Sequence, residues 1–197
     1  MARQWCEKCN KAQSMCICHM ITLIDNKYKL IILQHPSEAN KAIGTARILS
    51  LSLTRCDLYC QEQLPVSLLE NRPSFLLYPA AGEEVPVKIA NYHFPADSQF
   101  ILLDGSWKKA FRLLQLNPAL QALPKVALSH VKPTQYTIRK SNKDDGVSSV
   151  EAGFYLMSEL EQQSIKFQPL LDAFQGMVKN QLSCMPSSVR RQHYGYD

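Results

Sequence analysis

Apolar positions along the chain fall into short unbroken runs separated by stretches of helical period. Residues 28–34 read YKLIILQ and residues 100–103 read FILL. Runs without alternation predict strands covered on both faces. Residues 75–78 and 126–128 predict two more short strands, and 136–139 another. Residues 38–54 carry Ile43, Ala46, Ile48, Leu49, Leu51 and Leu53, which predicts a helix interrupted or started near Gly44. Pro36 stops the strand before it, and Ser37 is placed to cap a helix. Residues 68–70 predict a short helix, and residues 108–116 an amphipathic one ended by Asn117-Pro118. Two longer helices are predicted over 148–160 and 169–182, while 80–95, with Gly82, Pro86 and Pro95, reads as loop. The alternation predicts an α/β fold, a mostly parallel sheet with helices on both faces. Ligands in such folds lie beyond the carboxyl ends of the strands.

The first twenty residues break this pattern. They are too short and too polar to form a core, so something must staple them. Four of the chain's 7 cysteines lie there, as Cys6-x2-Cys9 and then Cys16-x1-Cys18. Clustered thiolates suit a tetrahedral metal, zinc before an iron–sulfur cluster, with His19 a competing fourth ligand. Four protein ligands make such a site structural. Cys56, Cys60 and Cys184 stand apart and read as buried free thiols.

Lysine and arginine total 22 against 17 acidic residues, a net charge of +5. That excess permits a polyanionic partner without demanding one. No apolar run is long enough to span a bilayer, and the start, Met1-Ala2-Arg3-Gln4-Trp5-Cys6, lacks a signal-type stretch. A cytoplasmic protein without membrane contact is the expectation.

Asp104 follows an apolar strand and precedes a helix. It reads either as an N-cap or as a group facing a ligand, and Ser106 as an alternative cap frees it for the second role. Trp107 reads as core or as a stacking surface for a base. Ser148-Ser149-Val150-Glu151 has the form of a capping box, and a helix start there also attracts anions. Arg139 suits a carboxylate or phosphate. His35 reads equally as a turn residue or a phosphate contact. The dinucleotide, P-loop, nucleophile-elbow and zinc-protease motifs are all missing from the sequence.

Together these segments resemble the DTW-domain family. The likeness runs through the cysteine cluster, His35-Pro36-Ser37-Glu38, Gly44-Thr45-Ala46-Arg47, Leu77-Tyr78-Pro79, Asp104-Gly105-Ser106-Trp107, Tyr136-Thr137-Ile138-Arg139 and Ser148-Ser149-Val150-Glu151-Ala152. Ser106 stands where the family's name motif has threonine, and Ser149 likewise replaces a threonine; both keep the hydroxyl. The resemblance implies a SPOUT-like fold with a carboxy-terminal knot. It implies a zinc-binding module over 1–24 and a catalytic domain over 25–197. It also implies transfer of the 3-amino-3-carboxypropyl group from S-adenosylmethionine to N3 of a tRNA uridine, with 5′-methylthioadenosine released. On this reading Asp104 accepts the N3 proton or orients the base, with Ser106 and Trp107 beside it. Leu77, Tyr78, Pro79, Ala80 and Leu103 form the donor pocket. Ser149 and Glu151 close it, and Arg139 takes the amino-acid carboxylate or an RNA phosphate. The zinc module and Arg190, Arg191 and His193 are candidates for the tRNA backbone. The chain is expected to be a monomer or a homodimer. Two rival readings stay open: a methyltransferase using the same donor, and a zinc-ribbon RNA-binding adaptor without chemistry.

Overall fold

Strand alternation decides which side chains meet which helices, and it does so here around one parallel sheet. The computed structural model describes residues 4–41, 43–79, 85–129 and 147–185. In chain order, β1 (Trp5–Cys6) and β2 (Lys11–Ala12) form an antiparallel hairpin. They are followed by β3 (Lys29–Gln34), α1 (Ala46–Ser52), β4 (Cys56–Cys60), β5 (Ser74–Leu77) and β6 (Val87–Lys88). Then come β7 (Gln99–Asp104), α2 (Trp107–Gln115), α3 (Pro118–Gln121), β8 (Lys125–Ala127), α4 (Ser149–Glu161) and α5 (Ser164–Ser183). The 6-stranded sheet runs β4-β3-β7-β5-β8-β6, and every pairing in it is parallel.

The all-apolar strands feed two cores. Leu30, Ile32, Phe100, Leu102 and Phe75 point to one face, where α1, α4 and α5 bring Leu49, Val150, Leu156, Phe167 and Leu170. Ile31, Leu33, Ile101, Leu103 and Leu76 point to the other, beneath Ala110, Leu113 and Leu114 of α2 and Leu120 of α3. This is the two-sided burial that the unbroken runs predict. Of the amino-terminal segment, Cys9 and Ile17 are buried in the same core as α5.

Several elements depart from the sequence reading. The helix predicted over 38–54 is confined to Ala46–Ser52, preceded by a single 3-10 turn at Pro36–Glu38. Turn hydrogen bonds, Lys41 N–H to Glu38 O and Gly44 N–H to Lys41 O, hold the stretch between them. Residues 68–70 give only a 3-10 turn at Val66–Leu68. Strand β4 was not predicted, and neither was β6 within the presumed loop. The last helix starts at Ser164, so Pro169 lies inside it rather than at its first turn. The carbonyl that Pro169 leaves unbonded belongs to Ile165, which is exposed, so water can serve it. Cys60 and Cys184 are exposed, not buried, and Cys56 is half-buried. β4 lies at the sheet edge, which puts Cys60 at its open end. Among the described residues no helix is long and apolar enough to cross a membrane. The knot remains an expectation: residues 130–146 and 186–197, and with them the strand predicted at 136–139, lie outside the described residues.

Candidate functional site

Neighbouring strands β3 and β7 send the chain to opposite faces of the sheet. After β3 it enters α1, which packs with α4 and α5; after β7 it enters α2 on the far side. That divergence opens a crevice at the carboxyl ends of the two strands, where α/β proteins bind ligands. The last residues of both strands are polar and in register, Gln34 against Asp104.

Asp104 is buried, at 7% exposure. Gln34 Nε2 donates to its Oδ2 at 2.8 Å, and the Ser149 hydroxyl donates to its Oδ1. It is therefore not the cap of α2; Ser106 occupies that position, exposed and making no side-chain cap bond. Among the described residues no cationic side chain pairs with the Asp104 carboxylate. A buried carboxylate held only by neutral donors has strong residual attraction for a positive ligand.

The amino-terminal end of α4 delivers Ser149 to this point. Ser148 and Glu151 form the predicted capping box: Ser148 N–H and Oγ donate to Glu151 Oε2 at 2.7 and 2.6 Å, and Glu151 N–H returns to Ser148 Oγ. Val150 N–H reaches Thr45 Oγ1 at 3.4 Å, which ties α4 to the turn before α1. Glu151 thus faces its own helix start. Leu103 points to the opposite core from Asp104. Trp107, at the first turn of α2, is half exposed and meets Tyr78 edge-on, with ring centroids 6.2 Å apart. Tyr78 and Pro79 follow β5, next to β7 in the sheet; burial raises the Tyr78 hydroxyl above its ordinary pKa. Ala80 and Arg139, and the tail residues Arg190, Arg191 and His193, lie outside the described residues.

A cavity of about 150 Å³ opens beside Asp104, lined by Glu38, Lys41, Ile43, Gly44, Thr45 and Gly105. Sequence reasoning gave Glu38, Lys41, Thr45, Lys109 and Gln34 no role, although a polar residue closing an apolar strand was a signal for Gln34. Glu38 Oε1 accepts from Lys41 Nζ at 2.9 Å and from Lys109 Nζ at 2.6 Å. Burial works against the Glu38 charge, but those two bonds outweigh it and hold its pKa below the usual carboxylate value. His35 takes the turn role: Ser37 N–H donates to its Nδ1 at 3.2 Å, and its Nε2 lies 3.4 Å from Glu62. A larger cavity, about 290 Å³, sits between Trp5, Lys11, Asn40 and the end of α5, and shares Lys41 with the first.

The four clustered sulfurs come together. Cys6 and Cys18 Sγ are 3.7 Å apart and Cys9 and Cys16 Sγ 3.8 Å apart, all four within 4.8 Å of one another. A tetrahedron of sulfurs at about 2.3 Å from zinc has edges near 3.8 Å, so the donor set fits that ion. His19 is exposed and is not among the grouped ligands. Asn10, in the left-handed conformation at φ 52°, closes the hairpin turn between β1 and β2. From β2, Lys11 Nζ reaches the Gly44 carbonyl at 3.2 Å, linking the cysteine module to the wall of the Asp104 cavity. Burial lowers the Lys11 pKa, with Cys9 opposing and Arg47 adding to the shift.

The DTW domain family model matches residues 3–182 of the chain. Among curated proteins, tRNA-uridine aminocarboxypropyltransferase 2 of Drosophila melanogaster is 28% identical over 194 residues, covering 91% of this chain and 76% of that protein. The protein of the same name in Macaca fascicularis is 26% identical over 195 residues, covering 91% of this chain and 64% of its own length. tRNA-uridine aminocarboxypropyltransferase A of Arabidopsis thaliana is 24% identical over 139 residues, or 57% of this chain and 51% of that one. No solved structure matches significantly.

Proposed function

The chain belongs to the DTW-domain family, and on that premise we propose that it transfers the 3-amino-3-carboxypropyl group of S-adenosylmethionine to N3 of a tRNA uridine. The names of its relatives support the reaction class. The observation that carries the reading onto this chain is Asp104: a buried carboxylate at the sheet's crevice, oriented by Gln34 and Ser149 and lacking a cationic partner among the described residues. A sulfonium donor brings the missing positive charge.

In this reading the uridine leaves its stack to reach the crevice. Each Asp104 oxygen accepts one hydrogen bond and keeps a further lone pair. One such lone pair receives the N3 proton as N3 bonds to the donor's terminal propyl carbon. The carbon–sulfur bond breaks, its electron pair stays on sulfur, and neutral 5′-methylthioadenosine leaves. The proton then passes from Asp104 to solvent. Choosing this carbon over the methyl is a matter of positioning. Trp107 and Ser106 flank the acceptor. Leu77, Tyr78 and Pro79, at and after the end of β5, take the adenosine, with Ala80 and Leu103 as the further donor-pocket residues. Ser149 and Glu151 fix the α4 end of the pocket, and Arg139 takes a carboxylate or a phosphate. Zinc held by Cys6, Cys9, Cys16 and Cys18 supplies a fold-stabilising crosslink. That module and the basic tail contact the tRNA backbone, in binding that weakens with salt.

The by-product tests the reading. Incubation of metal-loaded protein with unmodified tRNA and S-adenosylmethionine is expected to release 5′-methylthioadenosine, identified by mass spectrometry. Release of S-adenosylhomocysteine instead identifies a methyltransferase and overturns it.

A further inference from the structure

We propose that Glu38, Lys41 and Lys109 form the seat of the donor's α-amino-acid group, gripping both its ammonium and its carboxylate beside Asp104. The inference rests on the transferase reading above and adds which part of the donor this cavity takes. Pockets for whole drug-sized ligands run to roughly 300–1,000 Å³. The space here, about 150 Å³, suits a short polar tail rather than an adenosine.

Its chemistry is that of a zwitterion site. Both lysines bond to Glu38 Oε1, and neither bonds to Oε2. An ammonium has three protons to donate, so each lysine has donors beyond the one given to Glu38. An α-carboxylate can therefore be received by Lys41, which lines the cavity, while Lys109 braces Glu38 from behind and the α-ammonium donates to Glu38 Oε2. Glu38 is only 9% exposed, so bonds to its carboxylate are shielded from bulk water and strengthened, while the Lys41 side chain, 49% exposed, stays open to an incoming carboxylate. Lys109 reaches the cluster from α2 because Gly105 has no side chain: a Cβ there would lie 2.9 Å from the Lys109 Cβ. Asp104 lines the same cavity. With the amino-acid head held at Glu38 and the sulfonium drawn toward Asp104, the carbon chain between them, not the methyl, is presented to the acceptor. This supplies the positioning that the reaction needs.

A purely structural ion cluster gives a different signature in binding. The test compares dissociation constants of S-adenosylmethionine, its decarboxylated form and 5′-methylthioadenosine for the metal-loaded full chain, by calorimetry. The expected results are that wild type binds S-adenosylmethionine about tenfold more tightly than the decarboxylated donor, and that Lys41→Ala removes that preference. Glu38→Gln should weaken both amine-bearing donors by a similar factor. Neither variant should change the affinity for 5′-methylthioadenosine, which has no amino-acid group. If Glu38→Gln does not fold, the wild-type and Lys41→Ala comparison decides alone. A preference for the carboxylated donor that survives Lys41→Ala, or a parallel loss of 5′-methylthioadenosine binding, overturns the proposal. Wild type that binds none of the three nucleosides overturns the transferase reading itself, and this inference with it.

Discussion

At the residue scale the site is organised by what each polar side chain is denied. Among the described residues Asp104 has no cationic partner, and Gln34 and Ser149 hold it in one orientation. Asp104→Asn keeps the shape and removes the charge. The Ser149 hydroxyl can rotate to accept rather than donate, so folding stability should change by no more than about 1 kcal/mol. Transfer to tRNA should fall by roughly 10²–10⁴-fold, the usual contribution of a positioned acid–base group. Thermal unfolding and a single-turnover assay check the two halves separately; equal activity of the variant and wild type removes Asp104 from the chemistry. The sequence made Asp104 visible because a lone acid closes an apolar strand. It could not decide between cap and ligand group, since that depended on where Ser149, 45 positions away in sequence, came to rest. Glu38 and Lys109 were hidden for the same reason: the pair spans |i−j| = 71 and has no local pattern.

At the element scale the packing of α4 on α1 places Ser149. Gly153 of α4 faces Leu49 of α1, and a Cβ there would lie 2.5 Å from Leu49 Cδ2 and 2.8 Å from Cδ1. Leu49 is fully buried and has no room to retreat. Gly153→Ala gains about 1 kcal/mol of helix propensity but overpacks the contact by roughly 1–3 kcal/mol. The net expectation is a loss of up to about 2 kcal/mol in urea unfolding, with donor binding weakened as Ser149 shifts. An unchanged or raised midpoint would show that α1 yields freely. Elements with dense apolar runs, β3 and β7, were legible, as were α2 and the capping box of α4. Strand β4 escaped because Cys56, Asp57 and Cys60 dilute its pattern: as an edge strand it is paired only with β3 and needs no unbroken apolar run. Pro169 misplaced the start of α5, because proline marks a first turn more often than it sits within a helix.

At the scale of the whole molecule, the cysteine module and the crevice share one scaffold. Cys9 and Ile17 lie in the main core, and Lys11 reaches the Gly44 carbonyl at the cavity wall. Met20 packs against α5 so closely that a Cβ at Gly176 would meet its Sδ at 2.7 Å. Removing the metal with a chelator should therefore lower the Tm by something of the order of 10 °C and weaken donor binding along with it. An unchanged Tm and donor affinity would mean that the module stands apart from the fold. The parallel sheet was readable from composition of the strands alone; the order β4-β3-β7-β5 was not, yet it is what creates the crevice. The proposed chemistry in this crevice moves the aminocarboxypropyl group rather than the methyl. Two donors, labelled in the carboxyl carbon and in the methyl carbon, test it directly with unmodified tRNA. Carboxyl label is expected on tRNA uridine and methyl label only in the released nucleoside, with carboxyl label in RNA reduced roughly 10²–10⁴-fold for Asp104→Asn; methyl label in RNA, or no transfer by folded, metal-loaded protein across a full tRNA pool, contradicts this chemistry.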